Sequence, residues 1–490
     1  MKPGARTRIP LLIPATTALA ALTTVVLSTG CPDRPVSEVP SHPVTQTSTT
    51  INVGDNRDID LLFVIDNSGS MGDEQASLVA NFTKFMDALS DGAGGLPNVH
   101  IGVVSSDVGA GGFGWSGCPG NGDNGLLQAT ARSQCSPPSG KFIEDIGKPD
   151  GTRRKNYTDT LGNTFKCIAE LGLHGCGFEH HMESMKRALD GSRPENAGFL
   201  RAGAYLAVVF IADEDDCSAK DGALFDNAAA LDNPSSTLGP HSLRCTEWAV
   251  DCDGLHLPRT PGTYATCLPR NDSPFFEDPT KYGDFLRSLK PGHPELILVA
   301  GILGLDSPFG IGDNDDDDNP VTTNPNQLHL LPSCGTDAAA SDTGDGAVPP
   351  VRFKALLDSF GTSGIRTSIC DNDLTPALQA IASAIVTKFV TRCLPDNTDM
   401  TDLHPERPGV QPDCAVAEVV DATQSAIGRC KMLDQPGPAT PAPGNTLPCW
   451  YVGEDATCNL DGQNGFTVEV ERSVAADKNA SLRVDCVGQQ

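Results

Sequence analysis

Aromatic residues are scarce, at 5% of 490 residues, and no two cysteines stand in the Cys-x-x-Cys spacing of zinc ribbons and thioredoxin-like redox sites. No His-Glu-x-x-His, Gly-x-Ser-x-Gly or phosphate-loop Gly-Lys-Ser/Thr string occurs, so motif evidence for metalloprotease, serine-hydrolase or nucleotide chemistry is missing. A non-enzymatic protein is therefore expected. Positive charge is short as well: 35 Lys plus Arg stand against 63 Asp plus Glu, a formal net charge of -28. Neutralising phosphates needs clustered cations, so nucleic acid is excluded as a partner, and divalent cations or basic surfaces fit better.

What is plentiful is glycine (50), proline (38) and cysteine (17). The first two imply long irregular connections; the third would be a liability in a reducing cytosol and points to export and disulfides. The amino terminus agrees. Lys2, Arg6 and Arg8 precede an apolar run from Ile9 to Leu27, which ends at Ser28-Thr29-Gly30-Cys31. This resembles a bacterial lipoprotein signal. The resemblance implies that residues 1–30 are removed, that Cys31 becomes the acylated first residue, and that the chain is held to a membrane of the cell envelope, the outer membrane by preference, through a lipid anchor. The processed chain would carry 32 basic and 63 acidic residues, a net -31. An ordinary cleaved signal is the alternative; four Thr and two Pro in the run make an uncleaved anchor helix poor. Without Cys31 sixteen cysteines remain, an even number open to eight disulfides.

Residues 31–54 are rich in Pro, Ser and Thr and read as a flexible tether. Residues 58–66 then form a continuous apolar run closed by an acid, the pattern of a strand covered on both faces. Similar runs fall at 99–105, 205–212 and 296–303, with a weaker one at 364–370. Helical spacing appears over 73–89, 178–189, 279–289, 351–359 and 374–390. The alternation predicts an α/β fold with a doubly wound, mostly parallel sheet over 55–392, interrupted by disulfide-rich insertions near 107–166, 217–275 and 306–349. Residues 393–490, Pro-rich with short alternating runs at 466–470 and 482–487, read as a small Cys-containing β module.

One constellation carries chemistry. Asp66-Asn67-Ser68-Gly69-Ser70 follows the first strand directly and opens the first helix, which places a carboxylate and two hydroxyls in a strand-to-helix turn. Small hard cations take such oxygen ligands. In a parallel sheet, ligands gather beyond the carboxyl ends of strands, and Asp213 closes the 205–212 run there. The Asp-x-Ser-x-Ser string in this setting resembles the metal-ion-dependent adhesion site of the von Willebrand factor A-type family. That resemblance implies Mg2+ (or Mn2+ or Ca2+) bound directly by Ser68 and Ser70, with Asp66 and Asp213 supporting and a partner's acidic side chain completing the shell. The family also supplies a threonine from the loop before the middle helix, whereas Glu170–Gly177 contains none. Either a water takes that place, or His174 does, or the fold survives as a scaffold.

Two functions follow: an adhesion or interaction protein of the cell envelope that captures a protein partner through the cation, or an assembly scaffold in which the metal site is structural or lost. Other clusters read as less informative. Glu179-His180-His181-x-Glu183 is taken as a solvated helix face, since neighbours on a helix diverge. The run from Asp313 to Asn319 lacks the Gly and later Glu of a helix-loop-helix calcium site and reads as a solvated loop. Asp107 is open between lining the cleft and capping a loop. Spacing suggests the disulfides Cys167–Cys176 and Cys118–Cys135.

Overall fold

The computed structural model describes residues 46–488 apart from 53–56, 93–94, 132–133, 227–236, 313–327, 336–345, 391–393, 395–396, 421–422, 435–438, 455–464, 477–479 and the single positions 114, 116, 119, 149, 292, 372 and 475. The leader, Cys31 and the acidic run 313–319 lie outside the described residues.

From Leu61 to Ile65 no polar side chain interrupts the strand Asp58–Ile65, so apolar surface projects from both faces and both must be covered. Alternate residues enter two cores. Phe63 and Ile65 pack with Leu78, Phe82 and Phe85 of helix Gly72–Gly92, Phe165 of helix Leu161–Ala169 and Ile381 of helix Thr375–Val390. Leu62 and Val64 pack with Met182 and Met185 of helix His181–Leu189, Leu286 of helix Thr280–Ser288 and Phe353 of helix Val351–Asp358.

The expectation of a doubly wound, mostly parallel sheet is corrected: the chain is a mixed α/β protein with several sheets. Five parallel strands, ordered Gly364–Ser368, Ile297–Leu303, Tyr205–Ile211, Asp58–Ile65 and Asn98–Ser105, run into two antiparallel ones, Ile143–Gly147 and Arg153–Lys155. Among the described residues three further sheets form. The physical reason is that the stretches read as loops carry backbone groups that need partners. The first insertion pairs with the edge of the Asn98–Ser105 strand, where Arg153 and Tyr157 neutralise and hydrogen-bond the buried Asp145. The second folds Val250–Cys252, Leu255–His256 and Cys267–Pro269 into a sheet of its own. Its Gly262–Tyr264 strand crosses to pair with Phe309–Gly312, which in turn pairs with His329–Leu330 of the third insertion.

Five strands of the carboxyl-terminal region and one from residues 46–52 build a six-stranded sheet, in the order Gln46–Asn52, Ser481–Val487, Cys414–Val420, Thr423–Arg429, Cys449–Glu454 and Phe466–Glu471. Residues 46–52, assigned to the tether by composition, are thus an edge strand whose Thr-rich sequence suits β structure once Val487 to Ser481 supply a ladder. A separate core, with Trp450, Val452, Val468, Leu482 and Val484, backs this sheet.

Seven disulfides join described cysteines: Cys118–Cys176, Cys135–Cys167, Cys217–Cys245, Cys252–Cys267, Cys334–Cys370, Cys414–Cys486 and Cys430–Cys449. The expected pairs Cys118–Cys135 and Cys167–Cys176 are corrected: the same four residues pair crosswise, because Cys135 packs against helix Leu161–Ala169 while Cys118 lies with Cys176 in another core. Cys393 and Cys458 lie outside the described residues.

The packing of Phe63 generates a stability prediction. Its ring lies 5.1 to 6.0 Å from those of Phe165, Phe82 and Phe85, so Phe63→Ala leaves a void that three rigid rings cannot fill. It is expected to lower stability by about 3–5 kcal/mol in urea unfolding monitored by circular dichroism with disulfides intact.

Candidate functional site

Register brings the two acidic strand ends together. Ile65 and Ile211 are partners on adjacent parallel strands, and the Asp66 amide donates to the Ile211 carbonyl at 3.0 Å. Beyond them, the turn is fixed by its own polar groups. Asp66 Oδ1 accepts from the Ser68 amide at 2.8 Å and from the Ser106 hydroxyl at 3.3 Å, while Asp66 Oδ2 lies 3.0 Å from His181 Nε2. Both carboxylate oxygens are therefore engaged by protein groups, which makes Asp66 an anchor and a source of negative charge rather than a bare ligand.

The opposing loop is held by Gln75, whose Nε2 donates to the carbonyls of Asp66 and Gly172 and whose Oε1 accepts from the Gly172 amide. The Gly175 amide donates to the Asn67 carbonyl at 2.8 Å. A Cβ at Gly175 would sit 2.3 Å from Asn67 Oδ1, so only glycine permits this approach. The result is an open cleft of about 360 Å³, lined by Ser68, Ser70, Trp115, His174, Glu179 and Glu214 among others. No threonine enters it; His174 is the side chain that its loop contributes along with Leu173.

The serine hydroxyls converge, with their Oγ atoms 3.1 Å apart. Neighbouring ligands of an octahedral ion at 2.0–2.1 Å are separated by about 2.9 Å, so the pair has the span of adjacent ligands. Asp213 is buried, lies beside the Ser70 hydroxyl, which favours its charged form, and has an Oδ1 without any partner. An orphaned carboxylate oxygen beside two convergent hydroxyls is the donor set a hard divalent cation takes. Ser68, Ser70 and Asp213 could hold such an ion, with Asp66 behind them.

Electrostatics point the same way. Burial acts on Asp66 to raise its pKa, but the hydrogen bond and charge of His181 prevail and hold it below the usual range. His181, which burial alone would keep neutral, is driven up by Asp66 and carries the positive charge. The remaining acids have no such partner. Burial first, and then repulsion from Asp66 and Glu214, pushes Asp213 well above the carboxylate range. Burial and Glu214 do the same to Glu179, and burial with Asp66 pushes Glu214 up to about 7. Four buried carboxyls thus share one imidazolium, and a cation is what the site lacks in charge.

The string Asp213-Glu214-Asp215-Asp216 divides its labour. Asp213 and Glu214 face this centre, whereas Asp215 accepts from the amides of Arg352 and Phe353 at the start of helix Val351–Asp358. Asp216 accepts from the Met182 amide at 2.8 Å and pairs with buried Arg352. The reading of Glu179, His180 and His181 as a solvated face is corrected: all three are buried, since His180 precedes the helix and its neighbours turn inward under the sheet edge. The segment leading into them is tied down at Cys176 by the disulfide to Cys118. Asp107 caps its own loop by accepting from the Gly109 amide at 2.8 Å.

No known protein family matches the chain and no curated protein matches it, so neither sequence resemblance has a family match behind it. Solved structures of bacterial pilus adhesins do match. The open form of the pilus adhesin SpaC from Lactobacillus rhamnosus GG is 9% identical with a TM-score of 0.32, over 90% of this chain and 40% of that one. The adhesive tip pilin GBS104 from Group B Streptococcus agalactiae is 11% identical with a TM-score of 0.25, over 91% and 82%. The pilus adhesin RrgA from Streptococcus pneumoniae is 12% identical with a TM-score of 0.24, over 90% and 58%. The chain thus spans about two fifths of SpaC. Among the described residues no helix is long and apolar enough to cross a membrane.

The raised carboxyl of Glu214 sets a pH dependence. Its folded pKa lies above its unfolded value, so the folded state keeps a proton that the unfolded chain has released, and stability falls as pH rises from about 4 to about 7. In EDTA, Glu214→Gln is expected to flatten that fall in melting temperature; an unchanged slope would show that Glu214 does not titrate in this window.

Proposed function

We propose that the protein is a non-enzymatic component of the bacterial cell envelope that binds a protein partner through a divalent cation, Mg2+ or in its place Mn2+ or Ca2+, at the Asp66–Ser70 turn. The observation that carries this reading is the orphaned Oδ1 of Asp213 beside the convergent hydroxyls of Ser68 and Ser70. Ser68 and Ser70 would ligate directly, with Asp213 closing the far side and Asp66, locked by His181, supplying charge from behind. When bound, the ion offers an open position to an acidic side chain of the partner.

The chain's own groups set the conditions for that contact. The two neutral hydroxyls offset less of the ion's positive charge than carboxylates in their place would, which favours an incoming carboxylate, while the nearby Glu179 and Glu214 oppose any acid not seated on the metal. Trp115, Leu173, His174 and His241 border the cleft and would select among partners by shape. The remaining parts of the proposal rest on sequence: acylation at Cys31 would tether the protein to the membrane, and the disulfides fit a compartment outside the cytosol.

Two measurements on the full chain test this reading. Mg2+ at about 100 times its dissociation constant should stabilise the protein by about 2.7 kcal/mol, and Ser70→Ala should remove that gain. Retention of envelope proteins on immobilised chain should disappear with EDTA and in Ser68→Ala, whose metal-free melting temperature matches wild type. Retention that survives both changes rules out capture through the ion, and a large loss of metal-free stability in Ser68→Ala favours the scaffold reading.

A further inference from the structure

A second cluster of metal-ligating side chains lies in the 217–275 insertion, apart from the Ser68–Ser70 turn. Val250–Cys252 and Leu255–His256 form a hairpin joined by Asp253 and Gly254, whose φ angles of 53° and 79° give the two-residue type I′ turn that matches strand twist. Asp251 and His256 are direct cross-strand partners, so their side chains share a face, and His256 Nδ1 lies 2.7 Å from Asp251 Oδ1. The third strand, Cys267–Pro269, pairs on the other side of Val250–Cys252 and leads to Asp272. One ligand atom from each of Asp251, His256 and Asp272 lies within 4.8 Å of the others.

The frame beneath these three is rigid. Cys252 and Cys267 are joined by a disulfide, and the Asp253 carboxylate accepts from the Thr266 amide at 2.9 Å, so hairpin and third strand cannot slide. The Arg270 amide donates to the Ala249 carbonyl at 2.8 Å, and its guanidinium lies over the Trp248 ring at 5.4 Å, which anchors the residue two positions before Asp272. An imidazole with two carboxylates is a mixed nitrogen and oxygen set. Such sets suit zinc and its neighbours, whereas Mg2+ and Ca2+ prefer oxygen throughout.

We propose that Asp251, His256 and Asp272 form a site for a divalent transition ion, zinc above all, with solvent or a partner's side chain in the remaining position. Zinc bonds of 2.0–2.2 Å set tetrahedral ligands about 3.3–3.6 Å apart. Asp272, with 71% of its side chain exposed, is free to swing in by the remaining distance. Doing so releases its 2.8 Å contact with Arg270 Nε, an ion pair open to water on the Asp272 side. Arg270 keeps its place on Trp248. The backbone need not move, because turn, ladder and disulfide already hold the other two donors together.

The bland reading of the same residues is an Asp–His pair and an Arg–Asp pair on a surface sheet. Zinc titration of the full chain by calorimetry, with disulfides intact and Mg2+ in excess, separates the two. The expected result is one equivalent of zinc, lost in His256→Ala, weakened at least about tenfold in Asp272→Asn, and unchanged in Ser70→Ala. Co2+ bound at the same place should give a visible absorption band that His256→Ala removes. Absence of uptake by the wild-type chain, uptake unchanged in His256→Ala, or uptake lost in Ser70→Ala would each overturn the proposal. Failure at the Ser68–Ser70 turn would leave this result untouched, since the two sites share no residue.

Discussion

Asp66 and His181 form an ion pair wholly out of water, and the geometry around the strand ends depends on it. Taking two charges from solvent is costly, and losing one partner of such a pair typically costs about 3–5 kcal/mol because the other is left buried and bare. Asp66 repays the burial by accepting from Ser68 and Ser106 as well, so a single carboxylate ties the turn, the adjacent strand end and the helix that begins at His181. Its charge adds to the penalty that burial already imposes on its neighbours. Asp213, Glu214 and Glu179 are buried within reach of it, and the groups that favour their charged forms do not offset that burial.

That imbalance persists because the surroundings cannot relax. Gln75 and the Gly175–Asn67 contact pin the facing loop to the turn, and Cys118–Cys176 draws the first insertion against the same rim. Closing loops by disulfides reduces the entropy lost when they order, by an amount that grows slowly with loop length. Among the described residues the first insertion extends the main sheet, and the second and third are joined through the Gly262–Tyr264 and Phe309–Gly312 strands.

Much of this was legible in the residues. The parallel strands were readable because five consecutive apolar side chains, Leu61 to Ile65, leave no face for water, and the helices because Leu78, Phe82 and Phe85 recur at helical steps. Asp66, Ser68, Ser70 and Asp213 were readable as a group because strand ends in a parallel arrangement share an edge. The hairpins of the insertions were not, since Ile143–Gly147 and Val250–Cys252 are too short to show a period, and their partners are fixed by tertiary contact. His181 was missed for a related reason: local periodicity says which residues share a helix face, not that a particular face turns toward a carboxylate 115 positions away.

By itself, then, the order of residues determined the buried strands, their flanking helices, the oxygen-rich turn and the acid opposite it, because each follows from interactions within a few positions or from one repeating rule of burial. Only the tertiary structure decided which cysteines meet, that residues 46–52 join a sheet with the far end of the chain, and that His181, Glu179 and Glu214 crowd the same centre. Those outcomes depend on which surfaces compete for burial and on charges brought together across long separations, and no local pattern encodes that competition.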